Sequence, residues 1–349
     1  MSMKNKYIGI LLIATTMLLS ACSSDDPGAQ TVNTGNEPVD KVVHLVSFIS
    51  PFVEKEQPSH ATTSTSSAYT PDKTIGLGIY MLENWTNPKE EKIIYNNNKW
   101  RAYFEVAANT TYTVYGYMPK TGEMTSSLAK STADAATLTI NNIKPVTTDD
   151  ICIITGVNET NDGLKEGKFS WFIANANDNF NMYLLLDHLY AAVQFRMLID
   201  EEYAQLRTIK LKTMTLGTDK GSINATISLA HNTTGDSPIS SVTYTPSGSS
   251  DAVEIFNSNE GTPLDKTTPL AINAYFAPTL SSDLTLVSTY DVYDRKDNLI
   301  RQNCTATNKL PDLEAIRGQR VQLNMTVNST YLYVLSDSDL DNPTIKIGN

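Results

Sequence analysis

Apolar and polar residues alternate one by one along much of this chain, most regularly at residues 320–327. The apolar set is Val321, Leu323, Met325 and Val327, and the polar set is Arg320, Gln322, Asn324 and Thr326. A period of two places the two sets on opposite faces of a β-strand. The same alternation recurs at residues 74–82, 99–108 and 208–216. Seventeen tyrosines agree with a strand-rich chain, so we predict an all-β fold.

Residues 182–199 are the one ambiguous stretch, because their apolar residues fit both a helical stripe and a strand face. The regular alternation of its second half favours a long strand, with a kink or bulge at Asp187 and His188. Directly after it, residues 200–206 are predicted to form a short helix with Asp200 as its N-cap. Residues 217–221, which begin and end with glycine, are predicted to form a hairpin turn.

Many short strands with turn signals between them indicate two layered β-sandwiches rather than one barrel. No internal repeat of about 20–50 residues is present, which argues against solenoids and propellers. We assign residues 42–176 to an N-terminal sandwich domain and residues 177–349 to a C-terminal one. A chain of 349 residues is long enough for two domains of ordinary size.

The N-terminus carries the marks of an exported lipoprotein. Lys4 and Lys6 precede an uncharged run, 8–19, and small residues lead directly into Cys22. This pattern resembles the lipobox of bacterial lipoproteins, which implies that residues 1–21 are a signal peptide. Cys22 would then become an N-palmitoyl, S-diacylglycerol cysteine that holds the protein to outer-membrane lipid. The alternative is a plain secretory signal with an incidental cysteine.

The residues after Cys22 indicate where the anchored protein would lie. Asp25 and Asp26 resemble the acidic tag that directs lipoproteins of Bacteroidetes to the outer face of the outer membrane. Residues 22–41 have little apolar content and are predicted to be a flexible tether. The formal net charge of −11 fits an exposed envelope protein and excludes nucleic acid as a partner, because nucleic-acid binding needs a basic face.

Four stretches together resemble the fimbrillin family, the pilin-like lipoproteins of Bacteroidetes. They are Thr74-Ile75-Gly76-Leu77-Gly78-Ile79-Tyr80-Met81, Tyr112-Thr113-Val114-Tyr115-Gly116-Tyr117-Met118-Pro119, Asp187-His188-Leu189-Tyr190-Ala191-Ala192-Val193-Gln194-Phe195 and Gly318-Gln319-Arg320-Val321-Gln322-Leu323. The last stretch carries Val321 where the family motif has Tyr. With the lipobox, these motifs span nearly the whole chain in the family's order.

The resemblance implies two tandem β-sandwich domains of the transthyretin-like, Greek-key type. It also implies a structural fimbrial subunit of the type V pilus kind, or an accessory tip or anchor protein that supports cell adhesion. Such subunits join other fimbrial subunits by strand exchange and can leave the membrane for the fimbrium after processing. Host or bacterial surface ligands are further expected partners. Residues 42–49 would be the removable strand, and the tail after Val327 would be the donor.

One departure from the family concerns the processing site. Family members are commonly cut after a basic residue near the first strand. The first arginine after Cys22 is Arg101, which falls inside a predicted strand, so Lys41 and Lys55 are the accessible alternatives. Either a protease of different specificity acts here, or the subunit stays uncut as an anchor or tip component.

The sequence gives little support for catalysis, cofactors or metals. No Gly-x-Ser-x-Gly elbow is present, and the four histidines show no paired ligand spacing. His188 lies in an apolar stretch, which favours a satisfied core histidine over a ligand. Residues 337–342 begin like a calcium loop, but Asn342 replaces the required Gly and Gly348 the required Glu. A solvated acidic loop is therefore predicted there, and no enzyme activity is expected.

Two cysteines and three tryptophans leave alternatives open. Cys152 and Cys304 are either buried free thiols, which we favour, or a disulfide. Trp100 alternates with core residues and is predicted to be buried. Trp85 and Trp171 could stack on sugars, so a carbohydrate-binding surface lipoprotein is the alternative function.

Overall fold

The computed structural model describes most of the chain from residue 41 onward. The described ranges are 41–42, 44–49, 52–54, 67–69, 75–82, 90–97, 99–102, 110–132, 135–158, 172–176, 181–230, 239–310, 312–331 and 338–348. Strands dominate these ranges, beside the short helix α1 (Glu201–Ala204) and a 3-10 turn at Pro278–Leu280. The all-β prediction is confirmed. No helix within these ranges is long and apolar enough to cross a membrane.

Twenty-four strands are numbered here in chain order. The first twelve are β1 (Lys41–Val42), β2 (His44–Ile49), β3 (Val53–Glu54), β4 (Ser67–Tyr69), β5 (Ile75–Leu82), β6 (Glu91–Asn96), β7 (Lys99–Ala102), β8 (Thr110–Met118), β9 (Thr125–Thr132), β10 (Ala135–Ile143), β11 (Val146–Thr147) and β12 (Cys152–Asn158). The others are β13 (Phe172–Ala176), β14 (Asn181–His188), β15 (Ala191–Ile199), β16 (Thr208–Thr218), β17 (Ser222–Ala230), β18 (Ile239–Ser247), β19 (Asp251–Pro263), β20 (Leu270–Phe276), β21 (Thr285–Tyr293), β22 (Leu299–Lys309), β23 (Gln319–Tyr331) and β24 (Ser338–Gly348).

The strands form four sheets. Sheet I has the order β1-β7-β6-β5-β8-β12-β14-β2-β4, with β13 also beside β8. Sheet II has the order β18-β17-β10-β9, and sheet IV has the order β19-β16-β21-β22. Sheet III has the order β11-β20-β15-β23-β24, with β3 also beside β23. Most pairs are antiparallel, and the parallel ones are β2 with β14, β3 with β23, and β15 with β23.

One hydrophobic cluster connects the four sheets in sandwich-like layers. Each sheet contributes fully buried side chains to it, such as Tyr115, Leu138, Phe195 and Leu286. These residues belong to the apolar phase of their strands, so the alternation read from the sequence is what turns them inward. Full burial of each large apolar side chain stabilises the fold by about 1.5–3 kcal/mol.

The domain boundary at residue 176 stays a prediction. Sheets II and III both take strands from either side of it. In sheet II, β10 pairs with β17, and in sheet III, β11 pairs with β20. Strand pairs in sheets II and III therefore join residues from the two sides of the predicted boundary.

The prediction of one long strand over residues 182–199 is wrong. The stretch forms β14 in sheet I and β15 in sheet III, and the break lies at Leu189 and Tyr190 rather than at the predicted kink. Both break residues are fully buried. Buried positions are even-numbered in β14 and odd-numbered in β15, so the phase of alternation shifts by one residue at the break. A one-residue phase shift moves the buried set to the other strand face and ends a continuous strand.

Residues 217–221 do not form the predicted hairpin. The turn leads from β16 in sheet IV to β17 in sheet II, and the link from β18 to β19 crosses between the same sheets in the opposite direction. The Gly221 N–H donates to the Ser247 carbonyl at 2.9 Å. A Cβ at Gly221 would lie 2.7 Å from the Ser249 carbonyl oxygen, so the close approach of the two crossings requires glycine.

The predicted N-cap is confirmed. The Asp200 carboxylate accepts hydrogen bonds from the N–H groups of Glu202 and Tyr203, both at 3.0 Å. These contacts satisfy two of the donors that a helix leaves open at its start. The helix is only one turn long and buries Tyr203, which fixes it against the end of β15.

Candidate strand-exchange interface

The segment 41–54 contributes three strands to two sheets: β2 has six residues, and β1 and β3 have two each. In sheet I, β1 pairs antiparallel with β7, while β2 lies between β14, to which it is parallel, and β4. In sheet III, β3 pairs parallel with the start of β23. The predicted first strand is thus present as β1 and β2. Strands β2 and β3 are parallel to strands far along the chain, at residues 181–186 and 319–320, so neither is joined to that partner by a hairpin.

The two ends of the chain meet on one edge of β23. Arg320 pairs with Ala192 of β15 on one side, so its pairing with Glu54 of β3 must use the other side. From residue 324 onward, β24 occupies this second edge, because β15 occupies the first as far as Val327. We call this second side, along residues 319–331, the composite edge. Among the described strands, none pairs with residues 321–323 on it.

Backbone and side-chain contacts hold residues 53 and 54 on the composite edge. The Val53 N–H donates to the Gly318 carbonyl at 2.9 Å. The Arg320 guanidinium donates from Nε to a Glu54 carboxylate oxygen at 2.6 Å and makes a second, shorter contact through Nη2. Gln322 Nε2 donates to the other Glu54 oxygen at 3.2 Å. This ion pair is partly exposed, so its stabilisation is modest.

Beside this edge, the Phe52 ring contacts one residue of sheet I and one of sheet III. Its ring stacks on the His188 ring with centroids 3.6 Å apart, and its centroid lies 5.8 Å from that of Tyr275. Phe52 itself is half-buried, whereas His188 is almost completely buried. Burial also raises the pKa of Tyr275 to about 12, so this phenol stays neutral at physiological pH.

Under Phe52, three metal-ligating side chains meet that the sequence did not group. Asp150, Cys152 and His188 each place one ligand atom within 4.8 Å of the others. His188 Nδ1 lies 2.6 Å from Asp150 Oδ2, which confirms a hydrogen-bonded buried histidine. Burial, and next the negative charge of Asp150, raise the pKa of the Cys152 thiol well above its ordinary value. In the sequence, the only sign of this cluster is an Asp-x-Cys pattern at the start of a predicted strand. Its cysteine lies 36 residues before His188 in the chain.

The remaining predicted site residues are placed as follows. Several predicted sites lie outside the described residues, namely the signal peptide of residues 1–21, Cys22, Lys55, Trp85 and Trp171. Cys152 is a buried free thiol, as favoured, while Cys304 is free and only partly buried. The acidic loop predicted at 337–342 is wrong from Ser338 onward, because β24 begins there and pairs with β23. A paired strand lacks the turn around an ion that a calcium loop makes.

Trp100 is buried, as the alternation in β7 predicts, with only 5% of its surface exposed. Its ring packs at a tilt on Tyr95, with centroids 5.2 Å apart. It therefore anchors the pairing of β6 with β7 and offers no face to a sugar. The carbohydrate-binding alternative depends on residues outside the described ranges.

No protein-family model and no curated protein matches the chain. Among solved structures, a candidate cell adhesion protein of Bacteroides fragilis is similar at 10% identity and TM-score 0.41, over 88% of this chain and 97% of that one. A candidate cell adhesion protein of Bacteroides uniformis has 10% identity and TM-score 0.34, over 89% and 99%. A fimbrial protein of Bacteroides vulgatus has 13% identity and TM-score 0.33, over 87% and 98%. At such TM-scores the likeness does not by itself assign a function.

Proposed function

We propose that this chain is a structural fimbrial subunit, or an accessory tip or anchor protein, that assembles at the cell surface by β-strand exchange. The observation that carries the proposal is the composite edge. There the two ends of the chain fill successive parts of one strand edge, and residues 321–323 between them have no strand partner in the described part of the chain. An open edge offers backbone N–H and C=O groups that a strand from another molecule can satisfy.

Removal of the segment 41–54 would enlarge the open surface in both sheets. In sheet III the open stretch of β23 would grow from residues 321–323 to 319–323. In sheet I, β14 would lose its partner along residues 181–186 while keeping β12 on its other edge. A neighbour's C-terminal tail, the part after Val327, is the proposed donor strand. The donor strand would pair with the exposed strand edge and restore the backbone hydrogen bonds that were lost with the segment 41–54.

The pairing of Arg101 argues against processing at that residue. Arg101 lies in β7 and pairs with both Ile94 and Val42, so a cut there would open sheet I itself. A cut after Lys55 would release β1, β2 and β3 together, whereas a cut after Lys41 would leave β2 and β3 in place. We therefore propose cleavage near Lys55 for a polymerising subunit, and no cleavage for an anchor.

Membrane attachment completes the proposal. Acyl chains on Cys22 would hold the uncut protein at the outer face of the outer membrane, and loss of the N-terminal segment would release it into the fimbrium. The body would be non-catalytic, with adhesion as its role. If this is right, a Cys22→Ala variant will leave the membrane fraction, and a variant that stays there would contradict lipid anchoring.

Assembly can be tested with three proteins purified from residue 23 onward or from residue 56 onward. We expect the chain that starts at residue 56 to polymerise, and the longer chain to stay monomeric. The matched control starts at residue 56 and also lacks 338–349, so it has the open edge but no donor strand. Size-exclusion chromatography and electron microscopy report assembly, and circular dichroism checks folding.

A synthetic peptide of residues 41–54 sharpens the test. Added to the chain that starts at residue 56, it should reoccupy both open edges and block polymerisation, whereas a scrambled peptide should not. A folded truncated chain that stays monomeric at every concentration would contradict assembly by strand exchange.

A further inference from the structure

Strand pairing brings Asp150, Cys152 and His188 together on one face of sheet I. Cys152 lies directly opposite His188 in the antiparallel register of β12 and β14. Asp150 lies two residues before Cys152, just ahead of β12, and its carboxylate reaches His188 Nδ1 at 2.6 Å. The pairing of Cys152 with His188, and the position of Asp150 two residues before Cys152, therefore bring a carboxylate, a thiol and an imidazole together.

The separations suit one metal ion held between the three side chains. Zinc binds thiolate sulfur at about 2.3 Å and imidazole nitrogen or carboxylate oxygen at about 2.0–2.2 Å. Ligand atoms around a tetrahedral ion therefore lie on the order of 3–4 Å from one another. The three ligand atoms here are within 4.8 Å of each other, with Asp150 Oδ2 and His188 Nδ1 at 2.6 Å. The 2.6 Å contact is a hydrogen bond, so an ion would have to part Asp150 Oδ2 and His188 Nδ1 by roughly 1 Å to bind between them.

One carboxylate oxygen of the cluster is poorly satisfied. Asp150 Oδ1 is buried and accepts no hydrogen bond from a nitrogen or oxygen donor within the described part of the chain, and the Cys152 thiol is the neighbouring donor of the Asp150 carboxylate. A buried polar atom without a partner destabilises the folded protein, and a charged one does so more strongly. Cys152 is completely buried and His188 is 2% exposed, so water does not easily satisfy the cluster.

The nearby charges also favour a cation at this position. Arg317 donates to the Asp187 carboxylate at 2.8 Å and to the His188 carbonyl at 3.1 Å, so Asp187 is already neutralised. Asp150 is the carboxylate in direct contact with His188 Nδ1, and Asp187 is the second negative group whose charge acts on Cys152. A divalent ion bound by the Asp150 carboxylate, the Cys152 thiolate and the neutral His188 ring would leave the site without net charge.

We propose that Asp150, Cys152 and His188 form a binding site for a borderline-soft divalent cation of the zinc class. Mixed sulfur, nitrogen and oxygen ligands select such ions over the hard cations calcium and magnesium. Binding replaces the hydrogen bond between Asp150 and His188. The proton on His188 Nδ1 moves to Nε2, so that the ring stays neutral, and the thiol proton of Cys152 is released to solvent. The Phe52 ring stacks on the His188 ring and so covers one face of this ligand.

The experiment uses the full chain with Cys22 and Cys304 both replaced by Ser, so that Cys152 is its single thiol. Cobalt(II) added to this protein should produce the near-ultraviolet thiolate-to-cobalt charge-transfer band with one ion per chain. Zinc should abolish the band by competition. If the folded protein shows no such band, the proposal is wrong, and no further variant is needed to reach that conclusion.

Two variants in the same background identify the remaining ligands. Asp150→Asn and His188→Gln should each weaken zinc binding by about 100-fold or more, beyond the 10–100-fold cost of losing an outer-shell partner. The matched control is Asp187→Asn, which alters a neighbouring carboxylate that pairs with Arg317. Equal losses in all three variants would overturn the assigned ligand set. If a ligand variant fails to fold, Phe52→Ala replaces it, and cobalt should then enter faster than in the background protein.

Discussion

The two edges of β23 are completed in different ways. Along one edge, β15 runs beside it in parallel register from Ala192 to Ile199, and its inward side chains are buried in the shared core. Along the composite edge, β3 supplies only two residues and β24 begins its pairing further on. The first edge is buried along β15, and on the composite edge Ile345 of β24 also lies in the shared core. The β3 part of the composite edge is different, because its residues are only partly buried and depend on two paired positions and a partly exposed ion pair.

The largest effect is expected on the β15 edge. Phe195 of β15 is fully buried, so Phe195→Ala removes its contacts and leaves a cavity. We expect a loss of about 3–5 kcal/mol in the free energy of unfolding, measured by urea denaturation. The control is Thr305→Ala on the exposed side of β22, which should change the free energy by less than about 0.5 kcal/mol. Similar losses in both variants would remove the distinction between core and surface strands.

Phe52→Ala tests the composite edge and should have a smaller, local effect. The variant loses the stacking on His188 and Tyr275, an interaction worth about 0.5–1.5 kcal/mol beyond burial. Hydrogen exchange of the Val53 N–H should accelerate strongly, while exchange in β15 should not change, because the edge opens locally. Tyr275→Phe keeps the ring and serves as control. Equal acceleration in β15 would show that the two edges open together.

Glu54→Gln should have a still smaller effect. It removes the charge that pairs with Arg320, and a partly exposed ion pair contributes about 0.2–1 kcal/mol. A double-mutant cycle with Arg320→Met isolates the pairwise energy. Salt should reduce that energy by screening. A coupling energy that does not respond to ionic strength would mean that hydrogen-bond geometry, not charge, holds β3.

The smallest effect concerns Asp265, whose backbone carbonyl accepts from the Ile199 N–H at the end of β15. Its exposed carboxylate accepts from the N–H groups of Thr268 and Thr267, and these bonds lower its pKa to about 2. A lowered folded-state pKa adds stability above the unfolded value, near 4, that is lost as the pH falls towards 2. Asp265→Asn keeps the acceptor oxygen but removes the charge. The difference in free energy of unfolding between wild type and variant should therefore be constant near neutrality and shrink below about pH 4.

Strand positions followed closely from the sequence, because period-two alternation is a local property. The alternation at 320–327 became the middle of β23, and Asp200 became the N-cap of α1. The strands Glu91–Asn96 and Asp251–Pro263 were missed. The long strand β19 is largely exposed, so it lacks the apolar phase that reveals a buried strand.

The candidate sites were less accessible to sequence reasoning. His188 was identified as a core histidine, but Cys152 lies on another strand and Asp150 just before that strand, and only the register of β12 with β14 brings them to His188. The meeting of β3 with β24 on the composite edge likewise joins residues from opposite ends of the chain. A pairing partner at long sequence separation leaves no periodic mark in either segment.

The sequence by itself determined that this chain would form strands and which face of most strands would be buried. Only the tertiary structure decided which sheet each strand joined. Residues 182–199 show the reason: one apolar stretch supplies β14 to sheet I and β15 to sheet III, with a phase shift at Leu189 and Tyr190. The face of a strand is set by its own side chains, whereas its edges are satisfied by backbone groups, which are the same for nearly every residue. Edge pairing therefore depends on the packing of the whole molecule.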